Sequence, residues 1–171
     1  MGLGVLYGKK RVLESFPPFL FGGDMVMRGD GDQLVYRRDS QKFEAGTQNL
    51  AAALGLKAAM DFLNENQFGE LIEKERSLTA SLREKLAALN GIQILNKGRD
   101  SPITLFRSER FGAYDMGVFL GLKNIAVRCG SHCAYPLMKR MELQSACRIS
   151  MGIYNTEEDV ERLITALKGM G

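Results

Sequence analysis

The sequence predicts an α/β protein, and two patterns lead to this fold class. After Gly46, apolar residues recur every three or four positions, which is the spacing of one face of an α-helix. After Gly91, short β-type runs alternate with such helical segments, which is typical of a sheet packed against helices. With 45% hydrophobic and 25% charged residues, the 171-residue chain has the composition of a globular protein rather than a disordered or fibrous one.

Charge and cysteine content exclude several classes of protein. The 23 basic and 20 acidic side chains leave a net charge of only +3, which does not favour nucleic-acid binding. No apolar run approaches the roughly 18 to 20 residues of a membrane-spanning helix, so we expect a soluble protein without a membrane partner. Three cysteines without a recognisable secretion signal predict free thiols in a reducing compartment, the cytoplasm.

The first part of the chain is predicted to hold more loop than regular structure. Gly4 to Tyr7 predicts a short β-strand with nothing before it to pack against, so we expect the chain to begin inside a fold. Residues 17–42 are rich in Gly, Pro, Asp and charge, and they predict loops around two short strands near Met25 and Val35.

Regular structure is predicted from residue 49 onward. Leucines and other apolar residues at three-, four- or seven-residue intervals predict helices over residues 49–64 and 68–89. The further predicted strands are 92–95, 103–106, 126–128 and 146–151, and the further predicted helices are 114–121, 135–141 and 156–168. Thr156 followed by three acidic residues resembles a capping box at the start of the last helix.

The segment FEAGTQN, residues 43–49, is the first candidate site. Thr47 is predicted to cap the following helix, and Gly46 allows the backbone to turn sharply and to approach a partner closely. The unpaired N–H groups and positive dipole end of a helix start suit a phosphate. An ordinary helix cap is the alternative, since most helices begin with such a residue.

The segment AVRCGSHCAYP, residues 126–136, is the second candidate site. Residues 97–140 hold eight Lys and Arg against three Asp and Glu, and positive charge favours the thiolate form that acts as a nucleophile. Cys133 follows a turn and precedes a proline, so we expect it on a mobile loop and take it as the candidate nucleophile.

Two other interpretations of the cysteines remain open. A free cysteine is often a small buried apolar residue, which suits Cys129 and Cys147 better than Cys133. The three cysteines and His132 could instead bind zinc, but their spacing is not that of a usual zinc site, so no metal is predicted.

Arg148, inside the apolar strand SACRIS, is the third candidate. A guanidinium in a half-buried strand is costly unless it meets a carboxylate, which it can hold with two parallel hydrogen bonds. That partner is either an internal Asp or Glu or the carboxylate of a substrate.

Six sequence motifs occur here in the order seen in one enzyme family. They are GVLYGK, PPF with the Gly22–Gly23 pair, FEAGTQN, VRCGSHCAYPLM, CRIS and YNTEEDVERL. Together they resemble class V pyridoxal-phosphate (PLP) enzymes, and most closely the cysteine desulfurases of the Suf type. The resemblance covers essentially the whole chain but only the C-terminal part of that family's longer sequences.

The resemblance implies a fold and a division of the chain. The fold is the α/β architecture of the fold type I PLP-dependent transferases. Residues 1–66 would be a remnant of the large cofactor-binding domain, and residues 67–171 would be the C-terminal small domain that carries the reactive cysteine loop.

The resemblance also implies site residues. The thiol of Cys133 would attack the sulfur of L-cysteine held on PLP and take it as a persulfide, releasing alanine. Arg148 would clamp the substrate carboxylate and Arg128 would line the same pocket. Gly46 and Thr47 would contact the cofactor phosphate of the opposite subunit in a homodimer.

Two departures from the family's pattern concern single positions. Ser131 with His132 stands where the family commonly has two histidines, and Gln48 stands where it commonly has proline. His132 remains a candidate for proton transfer.

The resemblance places the Schiff-base lysine in the family's N-terminal half. We therefore expect this chain to be a C-terminal portion of a cysteine desulfurase that is inactive alone and works as a homodimer or with a complementary N-terminal half. Its persulfide would pass to a sulfur-acceptor protein for iron–sulfur cluster or sulfur-cofactor assembly. The alternatives are part of another class V aminotransferase or selenocysteine lyase, or a non-catalytic module for acceptor binding or dimerisation.

Overall fold

The chain divides into two units, Met1–Glu65 and Asn66–Gly171, in a computed structural model that describes residues 2–31, 33–96 and 101–170. The predicted boundary, after residue 66, lies one residue from this division. The assignment of the first unit to a large cofactor-binding domain stays a prediction.

The first unit contains short elements and one long helix. Its elements are α1 (Lys10–Ser15), β1 (Val26–Asp30), β2 (Gln33–Tyr36), a 3₁₀ turn (Ser40–Phe43) and α2 (Leu50–Glu65). The two short strands predicted near Met25 and Val35 are confirmed, and they pair as an antiparallel hairpin with Arg28 opposite Val35. Helix α1 was not predicted, because six residues are too few to show a helical period.

The predicted strand from Gly4 to Tyr7 is wrong. These residues have no regular structure, and the side chains of Val5 and Tyr7 are 78% and 88% exposed. A β-strand is stabilised by hydrogen bonds to a neighbouring strand and by a covered face. Within the described residues of this unit, only β1 and β2 form a sheet, so a β-type composition alone does not produce a strand here.

Little of the first unit is buried. Among its described residues only Met25 and Lys42 are buried, and none of the residues of α2 is. The Lys42 ammonium donates to the carbonyl oxygen of Glu14 at 3.1 Å and lies 5.0 Å from the centre of the Phe43 ring. Helix α2 therefore follows the predicted helical spacing without packing its apolar residues into a core of this unit.

The second unit is a four-stranded antiparallel sheet with helices. Its elements are α3 (Phe68–Ala87), β3 (Ile92–Ile94), β4 (Ile103–Ser108), α4 (Ala113–Leu122), β5 (Arg128–Gly130), α5 (Tyr135–Arg140), β6 (Ala146–Ser150) and α6 (Glu157–Lys168). The strand order is β3-β4-β6-β5, so β5 is an edge strand. Every predicted strand and helix of this unit is present, although β5 begins two residues later than predicted and α3 ends two residues earlier.

The core of the second unit lies between the sheet and helices α3, α4 and α6. Leu78, Leu82 and Leu86 of α3 recur every four residues and are buried there, as the leucine spacing predicted. The capping box of α6 is also confirmed. The Thr156 side chain accepts from the backbone N–H of Asp159, and the Asp159 carboxylate accepts from the backbone N–H of Thr156 at 3.0 Å.

Across residues 2–31, 33–96 and 101–170, no helix has both the length and the apolar character needed to cross a bilayer.

Candidate active site

Strands β5 and β6 bring the two predicted arginines together. In the antiparallel register, Arg128 lies directly opposite Arg148, Cys129 opposite Cys147, and Gly130 opposite Ala146. Successive side chains of a strand point to opposite faces of the sheet. The arginine pair therefore lies on one face and the cysteine pair on the other.

The two arginines are not neutralised by the part of the chain that the structure describes. Neither Arg128 nor Arg148 takes part in an ion pair there, and the buried Nε of Arg148 has no hydrogen-bond partner. Like charges directly opposite each other on paired strands are destabilising. The internal Asp or Glu that was one predicted partner of Arg148 is thus not found among these residues, and the arrangement is suited to an anion such as a carboxylate.

Cys133 lies on the loop between β5 and α5, next to this arginine pair. Its side chain is exposed, and its sulfur lies 3.7 Å from a terminal nitrogen of Arg128. His132 and Cys133 have φ values of 57° and 55°, a left-handed conformation that costs free energy for residues other than glycine. The loop thus holds the thiol at a positively charged position in a strained backbone. Of the basic segment that predicted this charge, Lys97, Arg99 and Asp100 lie outside the described residues.

His132 is held as a neutral imidazole. Its Nε2 lies 3.0 Å from the carbonyl oxygen of Ala146, and because a carbonyl oxygen only accepts, Nε2 carries the proton and donates it. Burial lowers the pKa of His132, the hydrogen bond to Ala146 partly offsets this effect, and the charges of Arg148 and Arg128 lower the pKa further. The buried Nδ1 has no partner among the described residues and presents a free lone pair.

The predicted helix cap at Thr47 is wrong. Helix α2 begins at Leu50, and the Asn49 side-chain oxygen accepts the backbone N–H of Ala52 at 3.0 Å, as an N-cap residue does. Thr47 stands two residues before this cap, and its side chain is exposed. Asparagine is as good an N-cap as threonine, so the sequence offered two suitable residues, and the predicted helix, which already included Asn49, led to the wrong one.

The glycine predicted to turn sharply does so. Gly46 has φ +79°, and its N–H donates to the carbonyl oxygen of Gly23 at 3.0 Å. A Cβ placed on Gly22 would lie 3.1 Å from the Gly46 nitrogen. Gly22 therefore allows two backbone segments to approach closely, and Gly46 allows the turn.

A cavity of about 360 Å³ beside this turn tests whether a phosphate could bind there. The exposed Thr47 and the charged Arg37 line it and fit an anion, whereas Asp24 and Glu44 also line it and oppose one. The Gly46 amide is already bonded to Gly23. Of the two residues that the resemblance implies for the PLP phosphate, Thr47 thus lines this cavity with an exposed side chain, whereas the Gly46 N–H is already used within the chain.

The predicted site residues therefore fall into two groups. Arg128, His132, Cys133 and Arg148 come together in the second unit, while Gly46 and Thr47 belong to the first. Among the described residues, no group of three or more His, Cys, Asp or Glu could hold a metal ion. The pairing of Cys129 with Cys147 was not predicted, because a sequence does not reveal the register of two strands that are distant in the chain.

Comparison with known proteins relates this site to a family. Residues 1–163 match the family model of class V aminotransferases. A probable cysteine desulfurase of Xylella fastidiosa (strain Temecula1 / ATCC 700964) is 36% identical over 167 residues, which cover 97% of this chain and 40% of that protein. The chain thus spans about 40% of the length of the curated relatives that it matches.

Solved structures give the same result. The cysteine desulfurase CsdA (S-sulfonic acid) from Escherichia coli matches with a TM-score of 0.86 and 32% identity over 95% of this chain and 41% of its own. The apo cysteine desulfurase from Thermococcus onnurineus NA1 matches with a TM-score of 0.87 and 26% identity over 96% of this chain and 42% of its own. The predicted α/β fold and the resemblance to cysteine desulfurases are confirmed, and the chain belongs to the class V aminotransferase family.

Proposed function

We propose that this chain is part of a PLP-dependent cysteine desulfurase, in which Cys133 takes the sulfur of L-cysteine. The observation that carries the proposal is the opposed pair Arg128 and Arg148, which has no neutralising carboxylate among the described residues and lies beside an exposed thiol. A small amino acid brings a carboxylate for the arginines and a sulfur atom for the thiol.

The two arginines bind and orient the substrate. Arg148, whose buried Nε lacks a partner in the described part of the chain, holds the carboxylate by charge-assisted hydrogen bonds. Such bonds contribute roughly 1.5 to 3 kcal/mol each. Arg128 lies next to the Cys133 sulfur and stabilises negative charge on it. The substrate is thereby placed with its sulfur toward the loop cysteine.

Cys133 acts as the nucleophile. Its thiolate attacks the sulfur of the substrate, a new S–S bond forms, and the C–S bond breaks with its electron pair remaining on carbon. PLP, when bound, supplies the electron sink that makes this cleavage possible. Protonation of that carbon gives alanine, and Cys133 holds the sulfur as a persulfide. The free Nδ1 of neutral His132, adjacent in the loop, accepts the thiol proton of Cys133, and the loss of this proton balances the one that the carbon takes up.

Exposed features of the chain support the cofactor and partners of the proposed enzyme. Thr47, at the turn that Gly46 makes possible, would hold the PLP phosphate. The exposure of Cys133 leaves its persulfide open to a sulfur-acceptor protein, for iron–sulfur cluster assembly in the cytoplasm. The exposed apolar side chains of Leu50 and Leu54 on α2 support a homodimer or a complementary chain.

A chimaera tests the proposal. This chain would replace the matching 167 residues of the Xylella fastidiosa relative, and alanine formation from L-cysteine with PLP would be measured. We expect alanine together with a persulfide on Cys133, detected by mass spectrometry. Cys133→Ser should abolish both products, because serine cannot take up sulfur.

An arginine variant tests substrate binding in the same chimaera. Arg148→Gln should raise the KM for L-cysteine by about 10- to 100-fold, because one or more charge-assisted hydrogen bonds to the substrate carboxylate are lost. Arg162→Gln removes the same charge from an exposed residue of α6, a helix that packs on the opposite, core face of the sheet, and should leave KM unchanged. Full alanine production by Cys133→Ser, or equal KM values for the two arginine variants, would contradict the proposal.

A further inference from the structure

Cys129 and Cys147 form a pair of thiols that the proposed desulfurase reaction does not use. They lie directly opposite each other on β5 and β6, and their sulfur atoms are 2.9 Å apart. Both are free cysteines, Cys129 half-buried and Cys147 fully buried. They share the face of the sheet that packs on the core, opposite the arginine pair.

The strand register alone brings the two cysteines within range of a disulfide. Directly opposed residues of antiparallel strands have Cα atoms about 4.5 or 5.5 Å apart, and disulfides join Cα atoms about 4.4 to 6.8 Å apart. A disulfide S–S bond is about 2.05 Å long, so closing this pair shortens the sulfur–sulfur distance by about 0.9 Å. That adjustment lies within the reach of side-chain rotation.

Helix α4 leaves room for the pair. A Cβ placed on Gly117 would lie 2.9 Å from the sulfur of Cys129, so only glycine fits at this position of α4 without displacing that sulfur. The thiol of Cys147 donates to the carbonyl oxygen of Ala113 at 3.4 Å. Burial raises the pKa of Cys147, and the hydrogen bond with Cys129 raises it further, so Cys147 stays a thiol. Cys129 is the less buried residue of the pair.

We infer that Cys129 and Cys147 are an oxidative modification site, at which a peroxide closes a cross-strand disulfide. The peroxide first oxidises the Cys129 sulfur to a sulfenic acid and releases one water. The sulfur of Cys147 then attacks this oxidised sulfur, its thiol proton leaves with the departing hydroxide as a second water, and the S–S bond forms. Two thiols and one hydrogen peroxide give one disulfide and two water molecules.

The disulfide would fasten the edge of the sheet. Strand β5 has only three residues and, in the part of the chain that the structure describes, pairs with β6 alone, so it is held by few hydrogen bonds. A bond between Cys129 and Cys147 ties it to β6 at its central residue, one position from Arg128 and Arg148. Oxidation therefore stiffens the strand pair that carries the arginines, and one of its strands, β5, leads directly into the Cys133 loop.

The three cysteines allow a test of whether the native sheet selects the pair. In an unfolded chain, Cys129 and Cys133 are separated by four positions and Cys129 and Cys147 by 18, so the shorter loop closes more readily. In the folded chain, the strand register should reverse this preference. The same chain oxidised in two solvents thus gives two different products.

The full chain is oxidised with hydrogen peroxide, once in buffer and once in about 6 M guanidinium chloride. The remaining thiols are then blocked, and the chain is digested with trypsin in the absence of a reductant. In buffer, we expect peptide 129–139 linked to peptide 141–148, in roughly tenfold excess over the internal Cys129–Cys133 bond. In guanidinium, the internal bond should dominate. The oxidised chain should also unfold about 5 to 15 °C higher than the reduced chain.

Two serine variants and two contradicting outcomes test whether Cys129 and Cys147 form the disulfide. Cys147→Ser removes the linked peptide and the rise in Tm, while Cys133→Ser keeps both. A Cys147 that is still fully alkylated when guanidinium is added after peroxide treatment in buffer would overturn the inference. A Cys129–Cys133 bond as the main product in both solvents would also overturn the inference. This result is obtained with the unaltered chain.

Discussion

The two units of this chain have equally clear helical patterns but very different burial. In α2 of the first unit, Leu54 is 68% exposed, and no residue of the helix is buried. In α3 of the second unit, Leu82 and Leu86 are fully buried against the sheet and α6. The difference shows that leucine spacing predicts a helix, whereas only the surrounding elements decide whether that helix contributes to a core.

The broadest way to test this difference is to separate the units. Residues 66–171 contain a closed core, so we predict a single cooperative urea transition for this fragment. Residues 1–65 bury only two of their described residues, so circular dichroism should change gradually with urea, without a cooperative step. A cooperative transition in the shorter fragment would contradict the comparison.

Two leucine variants in the whole chain sharpen the comparison. Leu82→Ala should lower the free energy of unfolding of the second unit by about 2 to 5 kcal/mol, because it leaves a cavity in the core. Leu54→Ala makes the same chemical change on the exposed face of α2 and should alter it by less than about 0.5 kcal/mol. Urea denaturation followed by circular dichroism measures both, and equal losses would count against the assigned burial.

Removing the caps of α2 and α6 should show the same difference between the two units, with a smaller effect on stability. Thr156→Ala breaks the capping box of α6 and should cost the second unit about 1 kcal/mol. Asn49→Ala removes the cap of α2, so it should reduce helix content by circular dichroism while leaving the urea midpoint of the second unit in place. A shift of that midpoint by Asn49→Ala as large as that caused by Thr156→Ala would show that α2 shares the core's stability.

The same capping box predicts a modest pH dependence. The backbone N–H of Thr156, with the Asn155 side chain, lowers the pKa of Asp159 in the folded state. Its contribution is therefore fully present above the unfolded pKa of about 3.9 and is lost as the pH falls through the lower folded value. Asp159→Asn should flatten the fall in stability between about pH 5 and pH 2. An unchanged profile in urea titrations would contradict this role.

The sequence predicted the second unit well because its signals are local. Leucine spacing in α3, the acidic run after Thr156 and the short apolar strands each encode an element that the sheet then uses. The strand predicted from Gly4 to Tyr7 failed because a strand depends on pairing that local composition does not contain. The cap at Thr47 failed because Asn49 competes for the same role two residues later.

The candidate site was predictable in its residues but not in its geometry. A basic segment around a cysteine in a predicted loop indicated Cys133, and an arginine within an apolar strand indicated Arg148. Their proximity depends on the register of β5 and β6, which sets Arg128 opposite Arg148 and also brings the two remaining cysteines together. Register is fixed by the packing of whole strands, so these pairs could be found only in the structure.

The most direct measurement compares two alkylating reagents at Cys133. Iodoacetate carries a carboxylate like that of an amino acid, and iodoacetamide is its neutral counterpart. We predict an iodoacetate-to-iodoacetamide rate ratio about three- to tenfold higher at Cys133 than at glutathione, because two unneutralised guanidinium groups attract the anion. Arg128→Gln and Arg148→Gln should each lower this ratio, and Arg162→Gln, on α6 at the opposite face of the sheet, should not. A ratio equal to that of glutathione, unchanged in all three variants, would contradict a carboxylate site beside this thiol.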